Sequence, residues 1–125
     1  MSSGKFVTAV NCMDGRTQLS VNEYMRKKYG VDYVDTVTET GPDKILAEEG
    51  PKSESIRERV DISVKKHGSK AIAIVAHYDC AGNPVDKETH LRHIKKAAET
   101  LKKWLPDVEV IGLWVGEDWK AGKVA

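Results

Sequence analysis

Short apolar runs that alternate with helical segments constrain the fold of this 125-residue chain more than any other feature. Residues 6–10, 33–38, 71–76 and 108–115 are rich in β-branched and aliphatic side chains and are too short for typical helices. We therefore interpret them as four strands. Strands that alternate with helices predict parallel βαβ crossovers. We expect an α/β fold with a mostly parallel open sheet of four to five strands, flanked by helices.

Capping residues and terminators mark the helices between these strands. The first helix is predicted to begin at Ser20 as its N-cap, with Glu23 three residues later as in a capping box. It is predicted to end at Gly30, a residue type that favours helix C-termini. A short helical turn is predicted over residues 43–49, between two Gly-Pro breaks.

Two further helices follow in the pattern. One is predicted to run from Ser53 or Ser55 to His67, where a glycine ends it. The other is predicted to begin near Asp86 and to end before Pro106. Its predicted apolar stripe recurs at helical spacing and comprises Leu91, Ile94, Ala98, Leu101 and Leu105.

Charge and length exclude several classes of function. The chain carries 20 basic and 19 acidic side chains, which gives no electrostatic case for a nucleic acid or membrane partner. No stretch approaches the ~20 apolar residues of a membrane span. Residues 1–5 lack a secretory hydrophobic region, so we expect a cytoplasmic protein with reduced thiols. We expect residues 1–125 to form a single domain.

Both cysteines lie in short polar clusters that directly follow predicted strands. Residues 12–16 read CMDGR after the first strand, and residues 77–80 read HYDC after the third. If the strand order is 2-1-3-4, the order reverses between strands one and three, and their carboxyl ends flank the crevice in which open α/β sheets bind ligands. This topology would bring Cys12, His77 and Cys80 together.

Two thiolates and one imidazole form a zinc ligand set that leaves a fourth position open, as in catalytic sites. His77 and Cys80 alone would equally fit a buried cysteine beside a hydrogen-bonded histidine. Cys12, at the corresponding end of another strand, favours the metal site. A redox pair of Cys12 and Cys80 has the least support, because no C-x-x-C redox motif is present.

Charged residues beside these ligands have two interpretations each. In isolation, Asp14 and Arg16 fit an ordinary turn with a surface ion pair. Next to a metal ligand, the same pair fits a functional role. Asp79 either orients a ligand or simply suits a turn, and the residues alone leave both interpretations open.

The two clusters resemble the signature of the β-class carbonic anhydrases. Residues 10–16 resemble the first motif of that family, and residues 74–82 resemble its second motif, including the acidic residue before the cysteine. Residues 112–124 are similar to its closing strand and turn. The resemblance extends from about residue 6 to residue 124 and implies the β-carbonic-anhydrase fold.

The resemblance implies a zinc ion held by Cys12, His77 and Cys80, with water as fourth ligand in an active form or Asp14 in a closed form. It implies the reversible hydration of carbon dioxide to bicarbonate by a zinc-bound hydroxide, which Asp14 would orient. Arg16 would pair with Asp14 and draw it away from the metal. Two thiolates weaken the acidity of the ion, so activity should favour alkaline pH. The resemblance also implies a homodimer or higher homo-oligomer.

One segment departs from the family pattern. Residues 38–42 read TETGP, where many members carry Arg-Asn-Ala-Gly, so Gly41 alone is retained, and Glu39 adds negative charge where bicarbonate might bind. The departure favours an alternative, a non-catalytic zinc-binding regulatory module on the same fold. A second alternative is a zinc hydrolase of carbonyl sulfide or carbon disulfide, an activity of relatives with this fold.

The remaining histidines and the tryptophans carry weaker signals. His90 and His93 share a helix face, which would suit an accessory metal or proton-transfer site, but polar neighbours favour solvated helix residues. His67, near a helix C-terminus, is interpreted as a favourable dipole partner. The tryptophans are interpreted as packing or subunit-contact residues: Trp104, Trp114 and Trp119.

Overall fold

The computed structural model describes residues 4–125 and contains one five-stranded sheet. Residues 1–3 lie outside the described residues, and with them part of the N-terminal segment on which the cytoplasmic expectation rests. The strands are β1 (Phe6–Cys12), β2 (Tyr33–Glu39), β3 (Ala71–His77), β4 (Glu109–Val115) and β5 (Ala121–Lys123).

The strand order β2-β1-β3-β4-β5 confirms the predicted order of the first four strands. Strands β1 to β4 are parallel, and β5 joins β4 in antiparallel orientation. Because Val10 is in register with Ile74, the carboxyl ends of β1 and β3, at Cys12 and His77, lie side by side. Both cysteine clusters therefore emerge at the same edge of the sheet.

Helices cover both faces of the sheet. They are α1 (Gly15–Tyr29), α2 (Pro42–Glu48), α3 (Pro51–His67) and α4 (Lys87–Trp104). Apolar residues of α1 pack on one face, and those of α2, α3 and α4 pack on the other. Within residues 4–125, no helix combines the length and apolarity that crossing a membrane requires.

The two covered faces explain why β3 is apolar from Ala71 to Ala76. In β3, Ala71, Ala73 and Val75 face the α1 side, and Ile72 and Ile74 face the other helices. All seven residues of β3 are buried. Successive side chains of a strand point to opposite faces, so a strand covered on both sides has no polar face.

The start of α1 differs from the prediction. Asp14, not Ser20, is the N-cap, and its carboxylate accepts a hydrogen bond from the backbone N–H of Arg16 at 2.9 Å. Ser20 and Glu23 have capping-box spacing, but they lie inside the helix, where carbonyl groups of the preceding turn already satisfy the backbone N–H groups. The predicted end of α1 is confirmed, because Gly30 has the left-handed conformation with φ of 60°.

The start of α3 also lies earlier than predicted. The helix begins at Pro51 with Gly50 as N-cap, rather than near Ser53 or Ser55. Ser53 still serves the helix start, because its hydroxyl accepts a hydrogen bond from the backbone N–H of Gly50 at 2.8 Å. Proline in the first turn costs no hydrogen bond, which allows the earlier start.

The buried face of α4 differs from the predicted apolar stripe. The N-cap at Asp86 is confirmed, and Ile94 and Leu101 are buried as predicted. His90, however, is only 1% exposed, so its interpretation as a solvated helix residue is wrong. A hydrogen bond of 2.8 Å between its ring Nδ1 and the carboxylate of Asp43 in α2 makes this burial tolerable.

Candidate metal centre

The ends of β1 and β3 bring together the three predicted ligands, Cys12, His77 and Cys80. All three side chains are buried, and their ligand atoms lie within 4.8 Å of one another. The two sulfur atoms are 4.0 Å apart, and both cysteines are free. The arrangement offers two sulfurs and one nitrogen to a single ion.

The imidazole of His77 is oriented so that one nitrogen is free. Its Nδ1 lies 2.7 Å from the backbone carbonyl oxygen of Tyr78, which can only accept, so Nδ1 carries the proton. The buried Nε2 has no hydrogen-bond partner among the described residues. Metal-ligating histidines typically donate their other nitrogen to a carbonyl or carboxylate, so Nε2 is the free ligand atom.

The two thiols share a hydrogen bond that separates their pKa values. The hydrogen bond with Cys80 lowers the pKa of Cys12 to about 4, although burial opposes this shift. His77 and the backbone of Gly41 and Asp14 act in the same direction as Cys80. The same hydrogen bond, together with burial, raises the pKa of Cys80. A cation that replaces the shared proton would allow both sulfurs to be thiolates.

Asp14 and Arg16 form a two-point ion pair beside these ligands. Arg16 donates from Nε to Oδ1 of Asp14 at 3.0 Å and from Nη2 to Oδ2 at 2.7 Å. These hydrogen bonds lower the pKa of Asp14 to about 2, although burial opposes this shift. Oδ2 of Asp14 lies 3.9 Å from Nε2 of His77, so an ionised carboxylate adjoins the ligand cluster.

Two further residues hold the guanidinium of Arg16 in place. Its carbon Cζ lies 4.2 Å from the ring centre of Trp119, in cation–π geometry. Asp79 accepts from Arg16 through its carboxylate at 3.3 Å and through its backbone carbonyl at 3.2 Å. Asp79 therefore contacts the arginine of the pair, and it also lies in a turn with a φ of 58°, so both of its earlier interpretations stay open.

The sequence profile of a family described as "Putative carbonic anhydrase" matches residues 2–125. The chain belongs to this family. A comparison with curated proteins gave no match.

Solved carbonic anhydrases share the fold. A carbonic anhydrase from Glaciozyma antarctica is 19% identical, with a TM-score of 0.64 over 95% of this chain and 81% of that chain. One from Streptococcus mutans is 16% identical, with a TM-score of 0.63 over 95% of this chain and 81% of that chain. A structure described as one of two tetrameric β-carbonic anhydrases from Sordaria macrospora is 12% identical. Its TM-score is 0.52 over 99% of this chain and 82% of that chain. The β-carbonic-anhydrase-like fold is thereby confirmed.

Two polar residues that support Cys12 in this family member were not predicted. Asn11 Oδ1 accepts from the backbone N–H of Cys12 at 2.8 Å and from the hydroxyl of Thr17 at 3.2 Å. Gln18 donates to the carbonyl oxygens of Cys12 at 2.7 Å and Asp14 at 3.1 Å. The position of Gln18 one helical turn after the N-cap was the only available signal.

Residues 38–42, which depart from the carbonic anhydrase pattern, are restrained by an ion pair and by close backbone packing. The carboxylate of Glu39 forms an ion pair with Arg59 of α3, so its negative charge is compensated. Gly41 has a φ of 66°, and a Cβ there would lie 2.9 Å from the carbonyl carbon of Gly82. Only glycine combines this backbone conformation with so close an approach. The retained glycine thus allows the loop after Cys80 to pack against the end of β2.

A cavity of about 650 Å³ opens beside the ligand cluster. It reaches the cluster at Cys80, and its lining carries both charge signs, from Lys87 and from three carboxylates. Its walls come from the loop after β3, the start of α4 and the end of β4: Tyr78, Asp79, Cys80, Pro84, Val85, Asp86, Lys87, Trp114, Gly116 and Glu117.

Proposed function

We propose that this protein is a zinc-dependent carbonic anhydrase that reversibly hydrates carbon dioxide to bicarbonate. The observation that carries the proposal is the meeting of Cys12, His77 and Cys80 beside the ionised Asp14. Membership of the carbonic anhydrase family and the shared fold support it.

The ligand atoms fit zinc. Tetrahedral coordination at a Zn–S distance of about 2.3 Å requires the two sulfurs to be about 3.8 Å apart, and they are 4.0 Å apart. Cys12, Cys80 and Nε2 of His77 would hold the ion. The chemistry that zinc supplies when bound is to lower the pKa of a coordinated water from ~15.7 to ~7. Two thiolates reduce the positive charge, so we expect activity to rise toward alkaline pH.

Asp14 and Arg16 would act on the attacking water rather than on the ion. An ionised Asp14 accepts a hydrogen bond from that water and orients it toward carbon dioxide. Arg16 engages both carboxylate oxygens, which keeps Asp14 ionised and restrains it from becoming a fourth ligand. Trp119 fixes the arginine from its other side.

We further propose a homodimer or higher homo-oligomer in the cytoplasm. Met13 is 62% exposed and Tyr78 is 45% exposed, although each adjoins a buried ligand. Apolar side chains exposed next to a site are typical of surfaces that a partner covers. The similar proteins from Sordaria macrospora are described as tetrameric. Cytoplasmic conditions would keep Cys12 and Cys80 reduced.

Stopped-flow hydration of carbon dioxide at alkaline pH tests the proposal, using protein of measured zinc content. We expect turnover that falls by ~10²-fold or more in Asp14→Ala, because the orienting acceptor is lost. Asp107→Ala, an exposed aspartate in the turn before β4, is the matched control and should keep wild-type turnover. Absence of turnover in fully zinc-loaded wild-type protein would contradict the proposal.

The same zinc-loaded protein separates the two alternatives. Release of hydrogen sulfide from carbonyl sulfide, without hydration of carbon dioxide, would assign it as a hydrolase of that gas. Zinc binding without turnover of carbon dioxide, carbonyl sulfide or carbon disulfide would favour a regulatory module.

A further inference from the structure

Four polar side chains form a cluster outside the ligand set, which we call the buried bridge. It joins the start of α2, the loop after Cys80 and the first turns of α4, and consists of Asp43, Asn83, His90 and His93. Asp43, Asn83 and His90 are at most 1% exposed. Burying polar groups costs free energy unless they are hydrogen-bonded, so we expect these side chains to be paired with one another.

Asn83 is held from both sides. Its Nδ2 donates to the carboxylate of Asp43 at 3.0 Å and to Nδ1 of His93 at 2.9 Å. The same carboxylate oxygen of Asp43 accepts from Nδ1 of His90 at 2.8 Å. Both amide protons of Asn83 are thereby fixed to acceptors on two different helices.

Asn83 in turn connects the bridge to a metal ligand. It lies three residues after Cys80, in a loop without regular secondary structure. Gly82, which lies between Cys80 and Asn83, packs so closely on the end of β2 that a Cβ on it would lie 2.6 Å from the carbonyl carbon of Thr40. Fixing the side chain of Asn83 therefore restrains the short loop that follows Cys80.

We propose that Asp43 and His90 are positioning residues that, through Asn83, hold the sulfur of Cys80 in metal-binding geometry. The inference rests on the metal-binding part of the proposed function and is independent of which substrate is used. A ligand already held in place pays less entropy when the ion binds. Residues that support metal ligands typically contribute 10–100-fold to metal affinity.

The chain contains a matched pair that does not touch the ligand cluster. Nδ1 of His67 lies 2.6 Å from the carboxylate of Asp35, which also accepts from the hydroxyl of Ser63 at 2.7 Å. Asp35 lies in β2 in register with Thr8, four residues before Cys12 in β1. The Asp35–His67 pair has the same hydrogen-bonding groups as Asp43 and His90 but is not connected to the loop that follows Cys80.

Zinc affinity by chelator competition, and the sulfur-to-cobalt charge-transfer absorption of cobalt-loaded protein, test the inference without measuring activity. We expect Asp43→Ala to weaken zinc binding by about 10–100-fold and to alter the cobalt spectrum. Asp43→Asn, which keeps an acceptor for Asn83 and His90, should restore most of the affinity. Asp35→Ala should leave both measurements at wild-type values.

Asn83→Ala keeps the inference testable if Asp43→Ala does not fold. It removes the side-chain tether of the loop to α2 and α4, so we expect the same loss of zinc affinity. Wild-type affinity and an unchanged cobalt spectrum in folded Asn83→Ala would overturn the inference alone. A wild-type protein that binds neither zinc nor cobalt would overturn the proposed metal centre and this inference with it.

Discussion

Asp14 has three roles that are compatible only while its carboxylate is ionised. It caps α1, accepts two hydrogen bonds from the side chain of Arg16 and lies 3.9 Å from Nε2 of His77. A protonated carboxyl group would lose the ion pair and much of its capping strength. The arginine therefore determines whether Asp14 can act as an acceptor beside the ligand cluster.

Replacing the arginine should raise the pKa of Asp14. In the wild type the pKa is lowered to about 2, so the ion pair stabilises the fold above the ordinary value of 3.8 and loses this effect as pH falls through about 2. In Arg16→Gln we expect the pKa of Asp14 to move toward 3.8. A carboxyl ¹³C NMR titration measures it. An unchanged pKa in the variant would show that Arg16 does not control the ionisation.

Packing between loops limits which residues the elements around the site accept. A Cβ on Gly82 would lie 2.3 Å from Cγ2 and 2.6 Å from the carbonyl carbon of Thr40. The second of these atoms is backbone and cannot turn away. The loop that follows Cys80 and the end of β2 are therefore closely packed, with no room for an added side-chain atom between them.

Gly82→Ala should destabilise the fold by about 1–3 kcal/mol through overpacking and should also weaken zinc binding, because the Cys80 loop must move. Gly122→Ala in β5 is the control, since a Cβ there meets no atom within 4 Å. Urea unfolding and chelator competition measure the two effects. Equal stability and affinity in both variants would contradict the close packing of the loop.

Elements with local signals were predicted well, and those set by distant contacts were not. The four long strands were correct because their short runs are rich in β-branched and aliphatic residues, and Gly30 ended α1 as expected. Ser20 was a wrong N-cap because capping-box spacing also occurs by chance inside helices. His90 was wrongly placed in solvent because its partner, Asp43, lies 47 residues away in sequence.

At the scale of the whole molecule, the strand order generates the candidate site. Parallel strands β1 and β3 are neighbours, so residues 65 or more positions apart meet at one edge of the sheet. The three ligands could be predicted because their motifs and this topology agree. Trp119 could not be assigned to Arg16, because no sequence pattern links residues so far apart.

Zinc should stabilise the folded chain, because its ligands come from distant parts of the sequence and are assembled only in the native state. Zinc at 1,000 times its Kd would contribute about 4 kcal/mol. Thermal unfolding with and without a chelator should show a higher Tm with zinc for wild type and little change for Cys80→Ser. Equal zinc stabilisation of both proteins would contradict the ligand assignment.

The proposed oligomer is tested by light scattering coupled to size-exclusion chromatography. We expect a mass of at least twice 13.9 kDa for wild type. Met13→Asp should lower that mass, because it places a charge in the exposed apolar surface beside the site. Tyr33→Asp, which changes an exposed aromatic residue at the opposite end of the strands, is the control. A wild-type mass of 13.9 kDa would contradict the proposal.

The central claim is that Cys12, His77 and Cys80 together hold one zinc ion. X-ray absorption at the zinc edge of stoichiometrically loaded protein tests this most directly. We predict two sulfur neighbours at about 2.3 Å and two nitrogen or oxygen neighbours at about 2.0–2.1 Å. A zinc environment with one sulfur, or with nitrogen and oxygen neighbours only, would contradict the claim.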